Sequence, residues 1–330
     1  MIGLHAPDGF LEPDVAIATA IIAFAAVAFT LRVTNRELSD KQVPLAGIAA
    51  AFIFAAQMFN FPVASGTTGH LLGGSLAAIL LGPSAGALVV TVVVIVQALV
   101  FADGGLTALG YNTLNMAIIP AFGGWALFQL FRKVLPKNTS GVIGATALAS
   151  GLTVVLAAVA FSLQWLFGAS APVPFDTVFG AMVGVHLLIG IGEAVISGLA
   201  VGAVLAARPD LVAGAADLSI AQLADRRRIG ARAFALGGLL TAIFFAVVVS
   251  QFAGSSPDGL ERVAVDEGFI DSGRDHAFDG SLFSDYATSG IGNENVSLAV
   301  AGVCGVVLTL VVGLGLISAA RRPRTRLTQA

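Results

Sequence analysis

The run AGALVVTVVVIVQALVF, residues 85–101, decides what kind of protein this is. It is almost entirely Val, Leu, Ile and Ala, without a charged side chain. A bilayer span needs about 20 mostly apolar residues, and runs of this kind recur along the chain. Candidate spans lie at 14–32, 44–61, 68–82, 84–102, 112–132, 141–167, 178–207, 232–252 and 295–320. The third is the shortest, and Gly82-Pro83 cuts it from the fourth. Composition agrees: 57% of residues are hydrophobic and 11% charged, with mean hydropathy +0.91. Soluble domains carry about 25% charged residues. The expected fold is therefore an all-α polytopic membrane protein with about nine transmembrane helices. Met1 to Pro13 has no basic segment ahead of an apolar core, so no cleaved signal peptide is expected. Cys304, the only cysteine, falls inside the last run, which excludes a disulfide framework and a thiolate cluster.

Charge placement sets the orientation, because cytoplasmic loops near span ends hold the excess of Lys and Arg. With the N-terminus outside, fifteen of the seventeen basic residues fall on the inner side, in groups at 32–41, 132–137, 208–232 and 321–326. Arg262 and Arg274 are the exceptions, both in one long external loop rich in Asp and Glu. The N-terminus is expected outside, the C-terminus in the cytoplasm, and the chain in the cell membrane as a multi-pass protein.

Two polar stretches share the outer side. The first is Leu4-His5-Ala6-Pro7-Asp8-Gly9-Phe10-Leu11-Glu12, whose Pro-Asp-Gly is turn chemistry. The turn leaves the His5 imidazole near the free amino end, and amine, amide and ring nitrogens together suit Ni(II) or Cu(II). The second is Gly66-Thr67-Thr68-Gly69-His70-Leu71-Leu72-Gly73-Gly74. His70 enters an apolar run directly from a Gly/Ser/Thr loop, and its glycines admit another backbone closely. Both histidines are candidate metal ligands, although His5 could be a plain exposed terminal histidine and His70 could only hydrogen-bond a neighbouring backbone carbonyl. Asp8, Asp103, Asn112 and Asn115 could support them, since a ligating histidine donates its second ring N–H to a neighbour; the two asparagines could equally cap helices.

His186 and Glu193 lie in the seventh run, seven residues apart and so on one helical face. Ionisable groups inside a membrane are rare and point to function. They could form a polar path or couple motion, or they could pair with other helices and fix packing. Residues 208–229 then form a polar cytoplasmic linker between a seven-span unit, 1–207, and a two-span unit, 230–330. In the second unit Pro257-Asp258-Gly259-Leu260-Glu261 partly echoes Pro7-Asp8-Gly9-Phe10-Leu11-Glu12. The acidic external loop around it, with His276, could gather cations or be a plain solvated surface.

His5-Ala6-Pro7-Asp8-Gly9-Phe10-Leu11, the Gly66–Gly74 segment, Asp103-Gly104-Gly105-Leu106-Thr107 with Asn115-Met116-Ala117, and His186-Leu187-Leu188-Ile189-Gly190 with Glu193 together resemble the substrate-binding (S) component of cobalt/nickel energy-coupling factor transporters, the CbiM/NikM family. Residues 230–320 resemble its two-span CbiN/NikN-like, PDGLE-type partner, here fused behind it. The resemblance implies that the transported ion is held by a terminal amine, by the amide and ring nitrogens of a histidine at position two, and by a second histidine. These histidines map to His5 and His70. Family members begin Met-His, whereas this sequence begins Met-Ile-Gly-Leu-His. A start at a leucine-type codon for Leu4 would restore the pattern; trimming of the first residues or an altered ligand set are the alternatives.

The resemblance also implies partners: a transmembrane coupling (T) protein and cytosolic ATPase subunits, in a lipid bilayer and without nucleic acid. No Gly-x-x-x-x-Gly-Lys-Ser/Thr phosphate loop occurs in the sequence, so energy has to come from other subunits. Ni(II) or Co(II) is expected as substrate, with no organic cofactor. An enzyme is not expected, since His-Glu-x-x-His is absent. The rival reading is a self-sufficient secondary transporter using His186 and Glu193 as a proton relay.

Overall fold

The computed structural model describes residues 5–39, 42–64, 66–218 and 229–320. Among the described residues seven helices are long and apolar enough to cross a bilayer, and they pack as a bundle. In order come α1 (Pro13–Glu37), α2 (Val43–Gln57), α3 (Gly74–Leu81), α4 (Pro83–Val100), α5 (Leu109–Asn112), a π-helical turn (Thr113–Ile118) and α6 (Ile119–Val134). After these follow α7 (Thr139–Gly168), α8 (Phe175–Ala207), α9 (Ala231–Val247), the short α10 (Gly259–Asp266) and α11 (Glu294–Ala320). α5, the π turn and α6 run on as one 26-residue span. A two-stranded antiparallel hairpin, Phe61–Pro62 with Thr68–Gly69, joins α2 to α3.

Burial follows the apolar pattern. α4 is buried along most of its length, from Ser84 through Val94. α1 instead turns Ile17, Ile21, Ile22 and Phe24 outward, and α8 does the same with Leu187, Ile191 and Leu199. Such apolar rims suit the hydrocarbon of a bilayer. The protein is a multi-pass membrane protein.

One expectation needs correction. The third span, expected over 68–82, is helical only over Gly74–Leu81. At 1.5 Å per residue that is about 12 Å, less than half of the roughly 30 Å hydrocarbon core. Residues 70–73 approach it unwound, with His70, Leu71 and Gly73 buried. Unwound backbone at this depth survives only where protein groups satisfy it. Gln57 Nε2 donates to the Leu72 carbonyl at 3.1 Å, and the Glu193 carboxylate accepts the Leu72 and Gly73 N–H groups at 2.7 and 3.0 Å. The second span, α2, is also shorter than expected, with 15 residues.

α3 and α4 form a tight antiparallel pair about Gly82, whose φ of +91° is in the left-handed region. A Cβ on Gly86 would fall inside the backbone of Ala77 and Ala78. Small residues allow helices this close in lipid, and overpacking costs about 1–3 kcal/mol. Gly86→Ala is therefore expected to lower the thermal midpoint of the detergent-purified protein by several degrees.

α9 and α11 dock on α2. Leu310 and Leu314 of α11 close on Gly47, and Gly238 of α9 lies against Ile48. The loop between α9 and α11 then folds over the bundle at the end that carries His5 and His70. Part of the linker expected over 208–229 lies outside the described residues; its described start forms short 3-10 turns at Pro209–Leu211 and Ala213–Ala215.

Candidate metal site

The N-terminal segment is pinned to its neighbours by backbone chemistry. The Asp8 carboxylate accepts the N–H groups of Leu106, Thr107 and Ala108 and the Thr107 hydroxyl, at 2.6–3.2 Å. Gly105 permits this contact, because a Cβ there would overlap Asp8. Gly105 N–H donates to the Ala6 carbonyl at 3.1 Å, as does Asn112 Nδ2 at 2.9 Å. Asp8 and Asn112 thus hold the main chain that follows His5.

His5 is 3% exposed, and neither ring nitrogen has a hydrogen-bond partner. Its own N–H donates to Asp103 Oδ1 at 3.2 Å, and its Nδ1 stands 3.8 Å from the same oxygen. Burial holds the ring below its usual pKa against the pull of Asp103, so the imidazole is neutral and its lone pair needs no proton removed before binding an ion. Asp103 is fixed in turn by the Tyr286 hydroxyl, which donates to Oδ2 at 2.6 Å and accepts from Gln97 Nε2 at 3.0 Å.

His70 is 8% exposed, and its ring centroid lies 5.9 Å from that of His5. Its Nδ1 sits 3.1 Å from the Leu71 carbonyl oxygen, which can only accept. That bond puts a proton on Nδ1. Nε2 is 3.7 Å from Asp258 Oδ2. Burial pushes the Asp258 carboxyl up to about 8, an acid that an arriving cation would ionise.

These groups line one cavity of about 80 Å³, whose wall includes His5, His70, Asn112, Asn115, His186 and Asp258. It therefore gathers three of the four histidines of the chain. His186 donates from Nδ1 to the Met182 carbonyl at 2.7 Å, and its Nε2 edge packs against Gly259. Asn115 is paired reciprocally with Gln164, at 2.8 and 2.9 Å, and neither asparagine caps a helix. Glu193 lies away from the cavity wall and caps the N-terminus of α3, where an anion is favoured. His186 and Glu193 thus bond to different elements. His276 is in the external loop, where its Nδ1 accepts the Phe278 N–H at 3.0 Å.

Among the described residues no three His, Cys, Asp or Glu side chains converge at ligating distance. The side chains offer two pairs, His5 with Asp103 and His70 with Asp258. A nitrogen-rich set would need main-chain nitrogens as well, and residues 1–4, which bear on this, lie outside the described residues.

Sequence reading singles out the histidines and misses Asp258, Tyr286 and Gln97. The signal for Asp258 is the repeated Pro-Asp-Gly. In both copies the aspartate accepts backbone N–H groups: Asp8 from 106–108, and Asp258 Oδ1 from Glu261 at 2.8 Å as the N-cap of α10.

The loop carrying Asp258 is fastened to the site by main-chain bonds. Thr68 N–H donates to the Pro257 carbonyl at 2.9 Å, and its hydroxyl to that of Ser256 at 2.8 Å. Gly254 N–H donates to the Asn60 carbonyl at 2.8 Å, and Arg274 N–H to that of Asp8 at 2.8 Å.

Known proteins share both halves of this architecture. Residues 5–211 match the family model of the CbiM cobalt-uptake substrate-specific transmembrane region, and residues 232–322 match the PDGLE domain. The fused nickel transport protein NikMN of Rhodobacter capsulatus is 35% identical over 231 residues, covering 64% of each chain. A relative in Archaeoglobus fulgidus, assigned provisionally as a fused nickel transport protein NikMN, is 34% identical over 323 residues. That alignment covers 96% of this chain and 99% of the relative. The crystal structure of a truncated transition metal transporter superposes with a TM-score of 0.54 at 32% identity, over 61% of this chain and 98% of that one. The chain belongs to the CbiM family of substrate-specific transmembrane proteins, with a PDGLE domain fused behind it.

Proposed function

We propose that this chain is the cobalt/nickel transport component that captures Ni(II) or Co(II) at the outer membrane face for an energy-coupling factor importer. The observation that carries this reading is the meeting of His5 and His70, both buried and 5.9 Å apart, on the wall of one small cavity. The neutral His5 ring presents a lone pair to an ion, His70 stands beside it, and Asp103 and Asp258 would offset its charge. In this reading residues 1–207 are the S component, 208–229 the linker and 230–330 the accessory unit. The site face is external, which agrees with the basic groups at 132–137 and 208–232 on the other side.

Binding is capture rather than catalysis. The ion sheds water, and nitrogen ligands that carry protons release them. The amide of His5 already points its N–H at Asp103, which would accept that proton or hold the amide in place. With no phosphate loop in the sequence, ATP hydrolysis belongs to separate subunits joined through a T protein.

The test is uptake of radioactive nickel and cobalt by cells lacking their own importers, expressing this chain with or without the coupling and ATPase subunits. Uptake is expected only with the full set, and the ion that accumulates names the substrate. Undiminished uptake by this chain alone would transfer the reading to a self-sufficient secondary transporter. The bonding of Glu193 to α3 rather than along a relay with His186 weighs against that outcome.

A further inference from the structure

A groove of about 810 Å³ lies on the bundle between α1, α4 and the start of α5, and it shares no lining residue with the histidine cavity. Its α1 wall extends from Pro13 to Val27. At 1.5 Å per residue that is about 21 Å, more than half of the roughly 30 Å hydrocarbon core, so it reaches the full depth of one leaflet. The wall along this length is mostly apolar and includes Ile17, Phe24, Val27, Ile95 and Leu109. At the mouth, where the N-terminal segment meets the loop between α9 and α11, stand Glu12, Thr107, Ser170, Ser272 and Arg274.

Arg262 and Arg274 are the two basic residues of that loop. Arg262 is paired with Asp266 at 2.7 Å, whereas the Arg274 guanidinium has no ion-pair partner among the described residues. Asp8, Asp275, Asp279 and Asp285 border a small polar space with it, but none stands within ion-pair distance. Asp8 and Asp279 are committed to main-chain N–H groups instead. Arg274 is nevertheless fixed at the mouth: its stem lies over Gly9, and its N–H donates to the Asp8 carbonyl at 2.8 Å.

The other mouth groups can only accept. The Thr107 hydroxyl donates to Asp8, that of Ser170 to the Phe10 carbonyl and that of Ser272 to the Phe269 carbonyl. Their hydrogens are spent, so their oxygens offer lone pairs alone. Glu12 adds an exposed carboxylate. One cationic donor beside several acceptors suits a group that carries a phosphate and, close to it, an N–H-bearing cation. The long apolar wall beneath suits a hydrocarbon chain.

We infer that this groove holds one phospholipid with an ammonium headgroup, of the phosphatidylethanolamine kind, drawn from the leaflet on the side of the site. One chain lies along α1. Arg274 takes the phosphate oxygens in its planar fork, and Glu12 with the hydroxyl oxygens takes the ammonium. The headgroup thereby ties the loop between α9 and α11 to the segment that follows His5, beside the main-chain bond from Arg274 to Asp8. The lipid site stands whichever ion the chain carries.

The test is native mass spectrometry of the full-length protein, stripped of lipid in detergent and then offered one diacyl lipid at a time. One phosphatidylethanolamine is expected to be retained at about fivefold higher occupancy than phosphatidylcholine, whose headgroup has the phosphate but no N–H. Arg274→Gln is expected to lower that occupancy about fivefold, and Arg262→Gln, which removes the paired arginine, to leave it unchanged. Glu12→Gln is expected to bring the two lipids level. Diacyl phosphatidylethanolamine should raise the thermal midpoint by several degrees, while inorganic phosphate and a short-chain phosphatidylethanolamine should not. Equal retention of the two lipids by the wild type, a reading that needs no variant, would overturn the proposal. So would undiminished retention by Arg274→Gln, or a rise in midpoint with inorganic phosphate as large as that with the diacyl lipid.

Discussion

His70→Ala is expected to abolish stoichiometric nickel or cobalt binding, and His5→Ala to do the same. Losing a neighbour that merely orients a ligand costs 10–100-fold in metal affinity, so losing the ligand itself should exceed about a hundredfold. The cavity has few substitutes. No third His, Cys, Asp or Glu side chain converges with either pair among the described residues. Isothermal titration of the purified variants, beside the metal content of protein as isolated, measures the effect. His276→Ala serves as control, because that ring bonds within its own external loop. Unchanged binding in both His5→Ala and His70→Ala would remove the two-histidine site and turn attention to His186, whose Nε2 also faces the cavity wall. Intact mass of the same preparation would show which residue begins the mature chain. A chain starting Met1-Ile2-Gly3 has a ligand set different from that of a chain starting one residue before His5.

Glu193→Leu is expected to have the second large effect, although Glu193 does not line the cavity shared by His5 and His70. Its carboxylate satisfies the N–H groups of Leu72 and Gly73 at the start of α3. Each buried amide left unpaired costs about 1–3 kcal/mol. The leucine variant should fail to fold stably in membranes, seen as loss of monodisperse protein in detergent. Glu193→Gln separates the positioning role from the fold. A glutamine can accept one N–H through its oxygen but presents its amide hydrogens to the other. The expected result is a folded protein with a lowered thermal midpoint and metal affinity reduced about tenfold, as for loss of an outer-layer partner. A proton relay would behave differently: Glu193→Gln would keep equilibrium binding and stop transport. Full metal affinity in Glu193→Gln, with an unchanged midpoint, would refute the positioning role.

Much of this architecture is readable without coordinates. Runs such as 85–101 have no polar face, so bilayer burial is their only stable solution, and α4 follows directly. His5 and His70 are recognisable because each sits in a Gly- and turn-rich stretch against a long apolar run. What misleads is the third run. Hydropathy registers that 68–82 is apolar, but it cannot tell that Gly69, Gly73 and Gly74 leave the segment unwound. Glycine permits that conformation without requiring it. The unwound state exists because Gln57 and Glu193, distant in sequence, supply the hydrogen bonds that a helix would have supplied internally.

By itself the sequence determined the membrane class, the approximate spans, the family and the two histidines, since these rest on composition and on local spacing. Only the tertiary structure decided that Glu193 bonds the main chain ahead of α3, that Asp103 takes His5, and that Asp258 lies beside His70. These pairings join residues 98, 121 and 188 positions apart. The reason is physical. An ionisable residue in an apolar run must find a partner, and its own sequence neighbourhood states that need without naming who meets it. The partner is chosen by which helices pack together and how close their glycines let them come.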